Sequence, residues 1–451
     1  MKTDKKVARK GQQKRLEVGE PGYAAMKALR KEKSGKTKNI TVVGEMMDKA
    51  TNPWAVTGIA LISLVFAVIL TDRWVIPTIN SVEFDLGEPM PFIGSLQANN
   101  RLQSAKKYLD DQVYGPECLA INEDTGLVYA GLKTGLIVEI KMDGKKATIL
   151  RSVRLVNDAS CDGTYETFPL CGRPLGIRFN FYGELVVVDA YLGIYVINFE
   201  DESTLKIVST GDLPTNNENA PPVRYMNDVD FLPDGRLVIT ESSTKFDDRD
   251  CILDMFEHRP NGRILTYDPR KKDLRVLMDG LYFPNGIQVN IEKGAASRAP
   301  FRVFFSEMGM TRIMTVWVPQ DPYSTAPLKT EVLIDKLPGY PDNIRSAKDS
   351  SHLLVPIPVL RESMDNVLEG FPRVRDNLAK IFTPKLLDLI CSWFSNQKGL
   401  VLMVNTQTGE IIQSYQDQSG TITAVSTAID DGKGGMYLGS DKSYYIAHVP
   451  M

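Results

Sequence analysis

The chain has 451 residues, 43% of them apolar, and a formal net charge of −3. That near-neutral sum conceals a basic tail on an acidic globule, because residues 1–52 carry 14 Lys or Arg against 6 Asp or Glu. The remainder carries a net −11, a field that repels phosphate backbones and excludes nucleic acid as a partner.

Residues 1–52 are rich in Gly and Lys, show no sustained apolar period, and are read as a disordered cytosolic tail. Trp54 to Leu70 follows as 17 residues without a charge. That is the short end of the roughly 17–25 needed to span a bilayer, and Trp54 and Trp74 stand near its ends, where indoles favour the interface. A cleaved signal peptide would have a shorter apolar region ending in small residues, whereas Thr71-Asp72-Arg73-Trp74 follows here. Residues 53–73 are therefore expected to be an uncleaved anchor. The positive-inside rule makes the chain a single-pass type II membrane protein of the secretory pathway, in the endoplasmic reticulum or plasma membrane, with residues 74–451 lumenal or extracellular. The N-x-S/T pattern occurs only at Asn39-Ile40-Thr41, on the cytosolic side.

Beyond the anchor, turn-and-ligand elements recur: Gly115-Pro116-Glu117, Gly172-Arg173-Pro174, Asn227-Asp228, Pro284-Asn285-Gly286 and Pro341-Asp342-Asn343. Glu117, Pro174, Asn227, Asn285 and Asn343 stand 57, 53, 58 and 58 residues apart, near the roughly 50-residue period of propeller blades. Each is followed by short β-branched runs separated by turns, as in Glu184–Val188 with Gly193–Ile197, Gly235–Thr240, Arg302–Phe305 with Arg312–Trp317, and Met436–Gly439 with Tyr444–Ala447. The expected fold is all-β, a six-bladed propeller, with seven blades the main competitor.

Residues 361–395 break the repeat with a helix-like recurrence of apolar residues, including Phe371, Leu378, Phe382, Leu387 and Trp393. A helical insertion packed on the propeller is expected; a lid over the channel or an amphipathic element on the lipid are the alternatives. Export makes the five cysteines relevant, since the lumen is oxidising. Cys161 and Cys171 flank a short loop that leads into Gly172-Arg173-Pro174 and are read as a disulfide. Cys118, Cys251 and Cys391 have no zinc-like spacing.

Glu117, Asn227, Asn285, Asp342 and Asn343 are hard oxygen donors without sulfur or imidazole, a set suited to Ca²⁺ and unsuited to zinc or copper. Propeller spacing would bring them together around one axis.

At these residues the chain resembles the strictosidine-synthase-like family, through Gly115-Pro116-Glu117-Cys118, Cys171-Gly172-Arg173-Pro174-Leu175-Gly176, Val188-Asp189-Ala190-Tyr191, Asn227-Asp228-Val229-Asp230, Phe283-Pro284-Asn285-Gly286 and Leu337 to Ile344. The resemblance implies a six-bladed propeller like that of calcium-dependent arylesterases and lactonases, with a central ion held at Glu117, Asn227, Asn285, Asp342 and Asn343. It also implies that Cys161 and Cys171 match the paired cysteines of the plant enzymes. Two departures follow. The family's condensing glutamate falls at Thr423, which argues against strictosidine synthesis, and the histidine base of the arylesterases falls at Leu175, which cannot transfer a proton. His258, His352 and His448 lie outside the repeated elements and are read as surface or loop residues. Asp189, or Asp342 itself, is left as the candidate base. The expected function is arylesterase-like hydrolysis of a small apolar ester or lactone; the alternative is a silent, calcium-stabilised propeller that binds a ligand or a protein partner.

Overall fold

The computed structural model describes residues 78–290, 299–362 and 365–451, with Ser63 besides. The expected tail and anchor lie, Ser63 apart, outside the described residues; among those described, no helix is long and apolar enough to cross a membrane.

Six four-stranded antiparallel sheets follow one another along the chain, so six blades form and not seven. Blade one runs outward from Leu119–Ile121 through Val128–Gly131 and Leu136–Met142 to Ala147–Arg154. Blades two, three and four begin with Pro174–Phe179, Tyr225–Phe231 and Pro284–Asn290. Blade five comprises Arg345–Ser346, His352–Pro356, Gly399–Asn405 and Ile411–Asp417. Blade six takes three strands from the C-terminal end and its outermost, Lys106–Tyr108, from near the start of the described chain, with Lys107 opposite Ala447. Opening the ring therefore means breaking a β-ladder.

The β-branched runs seen in the sequence are the second and third strands, and the second strands are the more deeply buried, on both faces. Leu185–Asp189 and Leu237–Ser243 are buried at every position, whereas the outer strand Ser203–Ser209 is mostly exposed. Successive side chains point to opposite faces. Ile239 accordingly joins Val186, Val188 and Val229 between blades two and three, while Val238 joins Val303 and Phe305 between blades three and four. Each strand thus serves two interblade cores. One expected strand shifts: Tyr444–Ala447 becomes Ile446–Pro450, because Tyr444 leaves the sheet to stack on Tyr114 with ring centroids 4.8 Å apart.

Among the described residues, four α-helices interrupt the sheets: α1 (Phe168–Cys171), α2 (Cys251–Glu257), α3 (Pro372–Ile381) and α4 (Pro384–Phe394). The insertion expected at 361–395 is thus helical and sits between the second and third strands of blade five. Thr383 caps α4 by accepting from the Leu386 amide, and Pro384 opens it where a missing N–H costs nothing. Leu253 and Phe256 of α2, which went unrecognised in the sequence, pack with Ala379 of α3, Leu387 of α4, Phe246 and Ile79. Cys161 and Cys171 are bonded, Cα atoms 5.4 Å apart, and α1 lies inside the closed loop.

The histidine reading needs correction. His258 ends α2 with a left-handed φ of 50°, is buried, and stacks on Phe84 with centroids 3.5 Å apart. His448 lies in a strand, its Nε2 2.7 Å from Asp431, and His352 opens the second strand of blade five. Burial, reinforced by Arg375, depresses the His258 imidazole to about 3. A base whose folded pKa is lowered contributes stability that is present above its unfolded value of roughly 6.5 and is lost as pH falls towards the folded value. Between pH 6.5 and 5, wild type should lose about 2 kcal/mol relative to His258→Asn, a residue that tolerates the same φ. Parallel urea titrations check this; equal pH slopes would refute it.

Candidate metal centre

Glu117 precedes the inner strand of blade one, Asn227 and Asn285 lie near the start of the inner strands of blades three and four, and Asp342-Asn343 precede that of blade five. The inner strands are not regular there. Register shifts separate Met226 from Val229 and Pro284 from Ile287, so Asn227 and Asn285 sit in bulges. A bulge carries a residue out of the ladder and turns its side chain, which is how a buried strand delivers a polar group to an axis. Gly286 supplies the close approach: a Cβ on it would stand 2.3 Å from the Ile344 nitrogen and 2.7 Å from the Asn343 Cα. Glycine is required there because the inner strand of blade four meets the backbone that leads into that of blade five.

All five side chains are buried. Asn343 Nδ2 donates to Glu117 Oε1 at 2.6 Å, joining residues 226 positions apart in sequence. Asn227 Nδ2 donates to Ser242 Oγ at 3.1 Å, and Ser242 Oγ donates to the Pro284 carbonyl at 2.8 Å. Ser306 Oγ donates to the Asp342 carbonyl, and Ser426 Oγ to that of Glu117. These hydroxyls fasten the loops of neighbouring blades and had no signal in the sequence.

The donors are used and the acceptors are left over. Glu117 Oε2, Asn227 Oδ1, Asn285 Oδ1, Asp342 Oδ1 and Asn343 Oδ1 are buried without a hydrogen-bond partner, a costly state for one oxygen and more so for five. Burial pushes the Glu117 carboxyl up to about 7, against the opposing pull of Arg173 and the Asn343 amide. Asp342 is raised well above the usual carboxylate range by burial and then by Glu117. Two carboxyl groups are therefore buried close enough to raise each other's proton affinity, with Arg173 the cation that opposes this at Glu117. Among the described residues no three His, Cys, Asp or Glu gather as metal ligands; the set is two carboxylates and three amides. Hard oxygens of that kind fit Ca²⁺.

Below the five lies a second buried layer that the sequence reading missed. Arg345 Nη1 pairs with Asp228 Oδ2 at 2.7 Å, and Arg345 Nη2 reaches Cys118 Sγ at 2.8 Å. Arg178 Nη2 stands 3.8 Å from Asp228 and donates to the Ile287 carbonyl, while the Ile287 amide donates to Asp228. Blades one to five are thus tied through one carboxylate. Burial pushes the Cys118 thiol up to about 11, so it stays protonated.

Beside the oxygens stands an apolar wall of Leu175, Ala190, Tyr225 and Phe283, with Met308 packed against it and 3.7 Å from Asn285 Nδ2. Arg173 lies buried beside Asp248, 3.9 Å away, and Tyr225 donates to the same carboxylate. Asp189, the candidate base, ends the second strand of blade two and uses Oδ1 to accept from the Tyr191 and Leu192 amides. That is a turn cap, and its other oxygen faces Gly172. Thr423 is half-buried and bridges Lys398.

The sequence matches two family descriptions: strictosidine synthase over residues 227–321, and strictosidine synthase-like, N-terminal, over residues 94–140. Adipocyte plasma membrane-associated protein of Salmo salar is 32% identical over 370 residues, 81% of this chain and 82% of its own. The chain belongs to the strictosidine-synthase-like family. The Bos taurus protein of the same name is 31% identical over 86% of this chain and 87% of its own. Among solved structures, a gluconolactonase from Xanthomonas campestris is 14% identical, covers 83% of this chain and 99% of its own, and has a TM-score of 0.47. Family membership agrees with the propeller. It does not decide the chemistry, because one fold hosts many functions.

Proposed function

We propose that this protein is a membrane-anchored propeller that holds Ca²⁺ through Glu117, Asn227, Asn285, Asp342 and Asn343 and hydrolyses a small apolar ester or lactone at the ion. The observation that supports it is the set of five unpartnered buried oxygens, four of them on Glu117, Asn285, Asp342 and Asn343, whose groups interact directly. When bound, such an ion polarises a carbonyl oxygen and acidifies water. The chain's own groups do the rest. Leu175, Ala190, Tyr225 and Phe283 exclude water and receive an apolar ligand body. Arg173, buried and beside Asp248 but with no hydrogen bond from Nε or Nη1, is a donor for a ligand oxygen. The membrane reading rests on the apolar span after a basic tail and on relatives named plasma membrane-associated protein.

One observation favours a second reading, a calcium-stabilised module that binds a ligand or a partner protein without turnover. Leu175 and Thr423 stand where related enzymes keep a proton-transfer group, and Asp189 keeps one oxygen in its turn, leaving Oδ2 buried without a hydrogen-bond partner and the carboxyl raised by burial to about 6. Phenyl acetate hydrolysis by the full-length protein in detergent, with calcium and with chelator, decides between them. Hydrolysis that needs calcium and disappears in Glu117→Gln is expected. Turnover absent in both, with calcium still bound, leaves the binding module.

A further inference from the structure

Helix α4 is apolar on both sides. Leu387 points into the cluster with Ile79 and Phe256, yet Leu386, Leu389 and Trp393 repeat at helical spacing on the opposite side and are exposed. Lys385 and Asp388 are its only charges. These two and Ser392 form a narrow polar stripe, and a broad exposed apolar face beside it belongs against something equally apolar. Here Trp393 is 67% exposed and Phe394 84%, and Phe371 and Val374 at the start of α3 are exposed as well. Scattered surface apolars need no explanation; a run of them on one insertion does.

The chain itself indicates what covers this face. Ile79 packs against α3 and α4, the Ser81 amide donates to Asp376 of α3, and the Val82 carbonyl accepts from Arg375. The apolar span ends at Leu70, nine residues before Ile79, so even a fully extended connection is only about 30 Å long. The insertion, together with α2, whose Phe256 and Glu257 also hydrogen-bond Asn80, Ser81 and Val82, is thus tied directly to the segment that leaves the span. Its charge is permissive: residues 361–398 hold six basic and five acidic side chains, within a globule of net −11.

We infer that α4 lies on the bilayer, with Leu386, Leu389 and Trp393 inserted at the level of the lipid headgroups, as an interfacial helix does. This orients the candidate metal centre. Lys385 reaches Glu166, in the disulfide loop that leads to Arg173, with Nζ 2.6 Å from Oε1, and α4 also contacts the Asp248–Asp250 segment beside Arg173. The face that carries Arg173 and the Asp248–Asp250 segment would therefore look towards the membrane, and an apolar ligand would approach it from lipid. The inference goes beyond the calcium reading but rests on the anchor for its tether.

Full-length protein in phosphatidylcholine nanodiscs tests it, with Trp54→Phe, Trp74→Phe and Trp317→Phe leaving Trp393 as the one tryptophan. Brominated lipid should lower Trp393 emission by about two-fold, as expected for a ring about 5–10 Å into the headgroup region. Adding Leu389→Glu should abolish the quenching. A red emission untouched by brominated lipid overturns docking. A blue-shifted but unquenched emission, with crosslinks between copies, overturns it in favour of self-association. Protein that leaves the discs in alkaline carbonate lacks the tether and overturns docking and anchor together, whereas anchored protein with unquenched Trp393 overturns docking alone.

Discussion

Calcium should raise the thermal unfolding midpoint of the full-length protein, and Glu117→Gln should abolish that rise without destabilising the metal-free form. A ligand that binds only the native state at about a hundred times its dissociation constant stabilises by about 2.7 kcal/mol. For a domain of this size the shift is roughly 3–4 °C. The variant's two effects differ in sign because Glu117 has two roles. It offers a charged ligand oxygen, and it is buried beside a second carboxylate, Asp342, whose ionisation it opposes. Gln keeps the oxygen that accepts from Asn343 and removes the repulsion. Scanning calorimetry of both proteins with calcium and with chelator reads the result. An equal calcium response in wild type and Glu117→Gln would place the ion elsewhere and sink the proposed centre.

Arg345→Met should cost about 3–5 kcal/mol of folding stability, because removing one partner of a buried ion pair strands the other. Asp228 would keep Arg178 at 3.8 Å and the Ile287 amide, but would lose its 2.7 Å partner. Adding Asp228→Asn to Arg345→Met removes the stranded charge, so the double variant should be clearly more stable than the sum of the two single losses predicts. Denaturant midpoints for the four proteins give the coupling. A loss below about 1 kcal/mol for Arg345→Met would show that the layer is not closed to solvent.

The two predictions separate the upper layer from the lower one. Glu117 changes the calcium response with little effect on the apo fold, whereas Arg345 changes the fold. If both variants unfolded the protein, the oxygens above would be structural caps and the metal reading would lose its support.

Glu117, Asn227, Asn285, Asp342 and Asn343 were legible in sequence because each stands at blade spacing and each is a hard oxygen donor. So were Cys161 with Cys171 and the helical character of the insertion, since a short closed loop and a 3.6-residue period are local properties. The Ser242, Ser306 and Ser426 hydroxyls, the Asp228–Arg345 pair and the burial of His258 were not legible. Serine is common in strands, Asp228 and Arg345 are 117 residues apart, and a histidine after a short helix looks like any loop residue. Only closure of the ring decides which of them meet.

Local pattern alone therefore determined the β repeats, the apolar span and the candidate ligands, because alternation, run length and side-chain chemistry act over a few residues. The tertiary structure decided six blades over seven, by pairing Lys106–Tyr108 with the last blade. It also decided which amide oxygens stay unpartnered and which helix face stays bare. Those depend on what lies across the channel or beyond the surface, and contacts between distant segments form only when the whole ring closes.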